Sequence, residues 1–142
     1  MSSLAPNTVA SPDPAVLAAA QGLLPLISGD WLGTPLTIVA TLGVADQCTS
    51  GPRTIDQLAA TLNVHGETLY RLMRALASVG VFTETAPRTF GLTPIADLLR
   101  SDHPQSMRAM ARMINADWHR KVWDGLPQAV RSGASIYEHQ LG

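Results

Sequence analysis

The segment Thr54–Glu84, TIDQLAATLNVHGETLYRLMRALASVGVFTE, constrains the fold of this chain more than any other. Thr54-Ile-Asp-Gln57 reads as a capping box. The Thr hydroxyl accepts from a free backbone N–H of the first turn, and the Gln side chain reaches back to the N-cap. Ile55, Leu58, Ala59 and Leu62 then recur at the spacing of one helix face. After a turn at Asn63–Gly66, Leu69, Leu72, Met73, Leu76 and Val79 line a second amphipathic helix, and Gly80 supplies the stop. Val81-Phe82-Thr83-Glu84-Thr85 is β-branched and aromatic. Ala86-Pro-Arg88 turns the chain, and Thr89-Phe90-Gly91-Leu92 returns it as a hairpin. With helices ahead of it, that order predicts a winged helix-turn-helix: a mainly α fold with a short β-hairpin wing and extra N- and C-terminal helices.

The flanks carry the extra helices. Residues 1–12 are polar, small and Pro-bearing, and are expected to form a disordered arm ahead of a domain over 13–142. Asp13 can cap a helix that Pro14 opens, carrying Val16, Leu17, Ala20, Leu23, Leu24 and Ile27. Pro25 should kink it and Ser28-Gly29 end it. Asp30 can cap the next helix, with Pro35 near its first turn. Trp31, Leu32, Leu36, Ile38, Val39 and Leu42 make that helix apolar almost all round, so it must be covered on all sides. Only 15% of the 142 residues are charged, against about 25% in an average soluble domain. A chain this small has little core in which to hide such helices. Leu23, Ile27, Trp31, Leu32, Leu36, Ile38 and Val39 are therefore the candidate dimer interface, with ordinary core helices as the alternative. Beyond the wing, Thr93-Pro94 caps a helix whose Ile95, Leu98 and Leu99 should pack inward. A longer helix should open at Asp102-His-Pro104, with Met107, Met110, Ala111, Ile114 and Trp118 on a stripe. Val122, Trp123, Leu126 and Val130 extend it, Pro127 should kink or divide it, and Arg131-Ser-Gly133 should close it.

Several function classes lose support at this level. The net charge is −1, and all ten Lys and Arg residues lie at or after Arg53, so no bulk positive field draws the chain to phosphate. A DNA reader would place Glu67, Thr68, Tyr70, Arg71 and Arg74 in the major groove. Glu67 would repel phosphate, and the hairpin tip offers only Arg88. A DNA-binding regulator stays as the alternative, and a solvated face is the plainer account of Arg71 and Arg74. Cys48 is the single cysteine, which excludes an intrachain disulfide and suits a reducing cytoplasm. His65, His103, His119 and His139 have no ligand spacing, so no metal site is expected. No signal peptide is visible, and without a run of 18 apolar residues no membrane span is expected.

Five blocks in order carry a resemblance. They are "LGVADQC" (Leu42–Cys48), "TIDQLAATLN", "LYRLMRALASVGVFTE", "FGLTPIADLL" and "WDGLPQAVRSGASIYEHQLG". Together the chain resembles the dimerisation domain of the S-adenosylmethionine-dependent small-molecule O-methyltransferases, the plant and bacterial caffeate- and acetylserotonin-type group. The resemblance implies an intertwined homodimer that roofs the substrate pocket of a following catalytic domain and acts in secondary metabolism. It also implies that the helices after the wing line that pocket. Here they offer Met110, Met113, Trp118, His119 and Trp123, which suit a small aromatic or polyketide-like substrate, with plain core as the alternative. S-adenosylmethionine is expected in the catalytic domain, because "SGDWLG" and "TLGVADQ" have glycines without a strand–turn–helix context. No catalytic or cofactor-binding residue is assigned, His119 and His139 included, and the isolated chain is not expected to transfer methyl groups. An excised domain, a truncated gene product and a standalone domain serving a separate catalytic chain all fit. A standalone small-molecule-binding adaptor is a further alternative.

Overall fold

The computed structural model describes residues 13–136. The arm expected over residues 1–12 lies outside them, as do His139 and the terminal aromatic pattern. The chain divides after Asp30 into two units. In the first, α1 spans Pro14–Ile27, with Pro14 at its opening position. The Asp13 carboxylate accepts from the Ala15 N–H at 2.8 Å, satisfying one of the donors a helix start leaves unpaired. Pro25 sits inside the helix, and none of its residues is buried. The helix ends as expected at Ser28, whose hydroxyl donates to the Leu24 carbonyl at 2.7 Å.

Helix α2 spans Gly29–Leu42, so Asp30 falls in its first turn rather than at the cap. There its carboxylate still faces the positive end of the helix dipole. Gly43, at φ +73°, turns the chain into α3 (Val44–Gln47), a single turn that the periodicity did not announce. The middle of the second unit is the predicted motif. Helix α4 (Ile55–Leu62) carries both bonds of the capping box: Gln57 N–H to Thr54 Oγ1 at 3.2 Å and Thr54 N–H to Gln57 Oε1 at 3.1 Å. Helix α5 (Gly66–Ser78) follows, and Gly80 takes the left-handed conformation at φ +79°. Strands β2 (Phe82–Ala86) and β3 (Thr89–Leu92) form the hairpin. A two-residue strand, β1 (Arg53–Thr54), pairs with β3 and makes a three-stranded antiparallel sheet of order β1-β3-β2. The sequence reading missed it, since two residues cannot show alternation.

The turn of the wing is tied to the helix it flanks. Arg88 adopts φ +57°, a conformation costing a non-glycine residue roughly 1–2 kcal/mol. Its carbonyl accepts the Ile55 N–H at 2.8 Å, which takes up another free donor at the start of α4. Ile55, Leu58, Leu69, Met73, Leu76, Phe82 and Phe90 are all 3% exposed or less and form the core with Val39, Ala40, Val44, Ala45, Cys48, Ala96 and Leu99. This is the winged helix-turn-helix the sequence predicts.

Two expectations after the wing need correction. Helix α6 is one turn, Pro94–Asp97; Ala96 and Leu99 face the core, while Ile95 is exposed. The long helix is three short ones: α7 (Arg108–Ile114), α8 (Asp117–Asp124) and α9 (Leu126–Ser132). Residues ahead of α7 spend their donors elsewhere, with Met107 N–H on the Leu98 carbonyl at 2.7 Å and the Ser106 hydroxyl on the Arg100 carbonyl at 2.6 Å. Between α7 and α8, Ala116 is extended at ψ 147°. Asn115 there donates to the Thr37 hydroxyl at 2.9 Å. Pro127 lies in the first turn of α9 and the helix is divided there, the second of the two expected effects, in keeping with the ring's fit to a first turn.

Candidate functional site

Two surfaces stand out, an apolar exterior and a cleft. In the first unit Leu23 and Ile27 are exposed. In the second, Trp31 is 74% exposed, and Leu32 and Ile38 are also open to solvent. Two of the candidate interface residues behave otherwise. Val39 is 1% exposed, in the chain's own core, so its side chain is spent at home. Leu36 is half-buried against that core. An α-helix that is apolar all round still has an inner side, and these two residues occupy it.

By length and hydropathy alone, the stretch Pro14–Leu42 is also apolar enough to cross a membrane, with a mean hydropathy of 1.3 over its best window and none of that window buried. The simple run-length reading did not reveal this. Asp30 lies near the middle of the stretch, where a carboxylate costs about 3 kcal/mol in a bilayer, and Ser28 interrupts the helix there.

The cleft lies in the second unit, between α2, the start of β2, α6 and α7. It encloses about 210 Å³, less than the roughly 300–1,000 Å³ of a complete ligand pocket. Leu36, Val81, Ile95, Leu98, Leu99, Met107, Met110, Ala111 and Ile114 line it. Of the five candidate pocket residues, Met110 lines this cleft and the other four lie elsewhere. Met113 and Trp118 line a separate open depression of about 520 Å³ with Thr37, Arg112 and Asn115. Trp123 borders a groove with Leu126, Pro127 and Val130. His119 stands edge-on between Trp118 and Trp123, at 5.4 and 6.2 Å between ring centres. Its Nδ1 lies 2.7 Å from the Ile114 carbonyl; a carbonyl only accepts, so that nitrogen carries the proton. The break at Ala116 separates Trp118, His119 and Trp123 from Met110, whereas Met113 shares α7 with Met110 and lines the other depression. Met107 and Ile114 were visible as neighbours of Met110 on one helical stripe, but Val81, Leu98 and Leu99 come from other elements and gave no such signal.

Helix α7 is held to α2 by polar contacts at both ends. At its start, Arg108 Nε donates to the Ala40 carbonyl at 2.8 Å, and Nη1 meets Asp46 Oδ2 at 2.6 Å. Asp46 Oδ1 accepts from the N–H and hydroxyl of Ser101 at 2.7 and 3.1 Å. At its middle, the Thr37 hydroxyl donates to the Ala111 carbonyl at 2.7 Å, and at its end Asn115 donates to the same hydroxyl.

The wing's side of the presumed DNA-reading face is tied to α4 and α5. Arg88 reaches back from the wing to Glu67 at 2.9 Å and Asp56 at 3.7 Å, and lies 4.6 Å over the Tyr70 ring. The Tyr70 hydroxyl donates to Glu84 at 3.3 Å. Arg88 is therefore matched by carboxylates instead of being free for phosphate.

At two strand-to-helix junctions, backbone donors of the helix start are engaged or missing. Where β1 leads into α4, the N–H groups of Ile55 and Gln57 are already bonded to the Arg88 carbonyl and the Thr54 hydroxyl. Where β3 leads into α6, Pro94 has no N–H and the helix is one turn long.

A family model described as the O-methyltransferase dimerisation domain matches residues 24–102. The chain is 41% identical over 120 residues to phenazine O-methyltransferase PhzM of Lysobacter antibioticus, covering 84% of this chain and 35% of that protein. It is 32% identical over 134 residues to the mitomycin biosynthesis 6-O-methyltransferase of Streptomyces lavendulae, covering 93% and 38%. Among solved structures, the crystal structure of LaPhzM matches with a TM-score of 0.80 at 40% identity, covering 85% of this chain and 36% of that one. The chain spans little more than a third of the length of these curated relatives.

Proposed function

Because the chain belongs to the O-methyltransferase dimerisation-domain family, we propose that it forms a homodimer and roofs the substrate pocket of a methyltransferase catalytic domain carried elsewhere. The observation that carries the dimer is Trp31, 74% exposed on a helix with few polar residues. Large aromatics left open at this level favour a partner surface. Sedimentation of the chain should give a dimer, and a stable monomer at micromolar concentration refutes the proposal.

The roofing role is supported by the wholly apolar cleft under α7, whose volume of about 210 Å³ suits one edge of a flat ligand. The names of two relatives, phenazine and mitomycin methyltransferases, favour a planar aromatic substrate. S-adenosylmethionine would be held by the catalytic domain, in the cytoplasm, and would supply the methyl group there. This chain's residues would wall the pocket and exclude water from it. Methyl transfer by the isolated chain would sink this assignment. The DNA-binding reading is disfavoured by the pairing of Arg88 with Glu67 and Asp56.

A further inference from the structure

Arg108 is out of place by the rules of its own helix. It is the first residue of α7, where the helix dipole disfavours a cation. Its guanidinium instead serves the opposite end of another helix. Nε donates to the Ala40 carbonyl near the C-terminus of α2, where carbonyls lack helical partners and a positive charge is favoured. The partnering Asp46 is shared with Ser101, so one carboxylate holds both the turn before α7 and its first residue. Both side chains of the pair are about three-quarters buried, at 21% and 25% exposure. Gly43 leaves room for them: a Cβ there would stand 3.1 Å from Arg108 Nη2 and 3.2 Å from Asp46 Oδ2. Met107 and Met110, on either side of Arg108, line the cleft.

We propose that Asp46 and Arg108 are positioning residues that set the shape of the apolar cleft by fixing the first turn of α7 against α2 and α3. The ligand part of this proposal rests on the reading of the cleft as a pocket wall; the positioning part does not. With the pair broken, α7 stays attached through Thr37 at Ala111 and Asn115, and its entry is held by the Met107 N–H on the Leu98 carbonyl. Its first turn then loses its side-chain hold on α2 and α3, and the cleft its fixed width.

The test is methyl NMR of the full chain labelled at its methionine methyl groups. Asp46→Asn keeps an acceptor for Ser101 but removes the charge. Arg108→Lys keeps the charge but cannot serve Ala40 and Asp46 together in the same planar geometry. Both should shift the Met107 and Met110 methyl signals and leave that of Met73, buried in the core, unmoved. Unchanged Met107 and Met110 signals, or a joint shift of all three, overturn the proposal, the latter because it reports general loosening. Titration with 2-naphthol, an uncharged planar aromatic, provides the second readout. Wild type should bind it with shifts at Met107 and Met110, and both variants should bind roughly tenfold more weakly, the scale of one charge-assisted hydrogen bond. Equal affinity in the variants overturns the proposal. No binding by wild type refutes the pocket reading instead, and the ligand-free methyl shifts still decide the positioning role.

Discussion

Trp31→Asp separates a dimer interface from an ordinary exposed helix. The wild-type indole is 74% exposed. A Trp side chain offers up to about 250 Å², so about 185 Å² is open for a partner to cover. Covering half of that is worth about 2 kcal/mol at ~25 cal/mol per Å². In a two-fold dimer the residue counts twice, giving about 4–5 kcal/mol, or a dissociation constant raised at least about a thousandfold. The aspartate adds to this, since a carboxylate facing an apolar surface must give up water. The monomer's fold should be indifferent, because the indole makes no part of its core. Sedimentation equilibrium across the micromolar range reads the effect, with unchanged helical circular dichroism as the check on folding. Arg71→Ala, on the outer face of α5, should sediment as wild type. Unaltered association in Trp31→Asp refutes the reasoning, as does a loss of helicity that accounts for the dissociation.

Gly43→Ala should destabilise the chain by about 2 kcal/mol in urea denaturation, combining a left-handed backbone that costs an alanine roughly 1–2 kcal/mol with crowding against Arg108. Phe90→Ala, at a fully buried position, should cost about 3–5 kcal/mol and leave a chain this small largely unfolded near body temperature. Burial pushes the Cys48 thiol above its ordinary value of 9.0, against a smaller downward pull from Arg53. The neutral thiol is thus favoured by folding, and the associated stability is intact below that ordinary value and declines as pH rises beyond it. Iodoacetamide should accordingly modify Cys48 only as fast as the chain opens. In gel shifts at low salt the chain should show weak retardation at most, unchanged by Arg71→Ala with Arg74→Ala; tight, salt-steep, arginine-dependent binding would restore the DNA reading.

The capping box at Thr54–Gln57, the glycine stop at Gly80 and the β-branched run after it are local signals, and each formed the structure its chemistry demands. Because helix spacing, caps and turn residues act within a few positions of one another, the winged helix was legible from the amino-acid order alone. So was the apolar character of residues 14–42, since periodicity and the lack of cations need no partner to be seen. The tertiary structure decided which side of each helix is spent internally. It placed Val39 in the core and left Trp31 in the open, a choice set by what packs beside α2. It also cut the long C-terminal helix at Ala116, because Asn115 and Arg108 found partners at Thr37 and Asp46, both more than sixty positions away. Those cuts separate Met110 from Trp118, His119 and Trp123 and build the cleft from four elements. Hydrogen bonds and packing across such separations leave no period in the sequence, which is why the scaffold could be read in advance and the shape of the site could not.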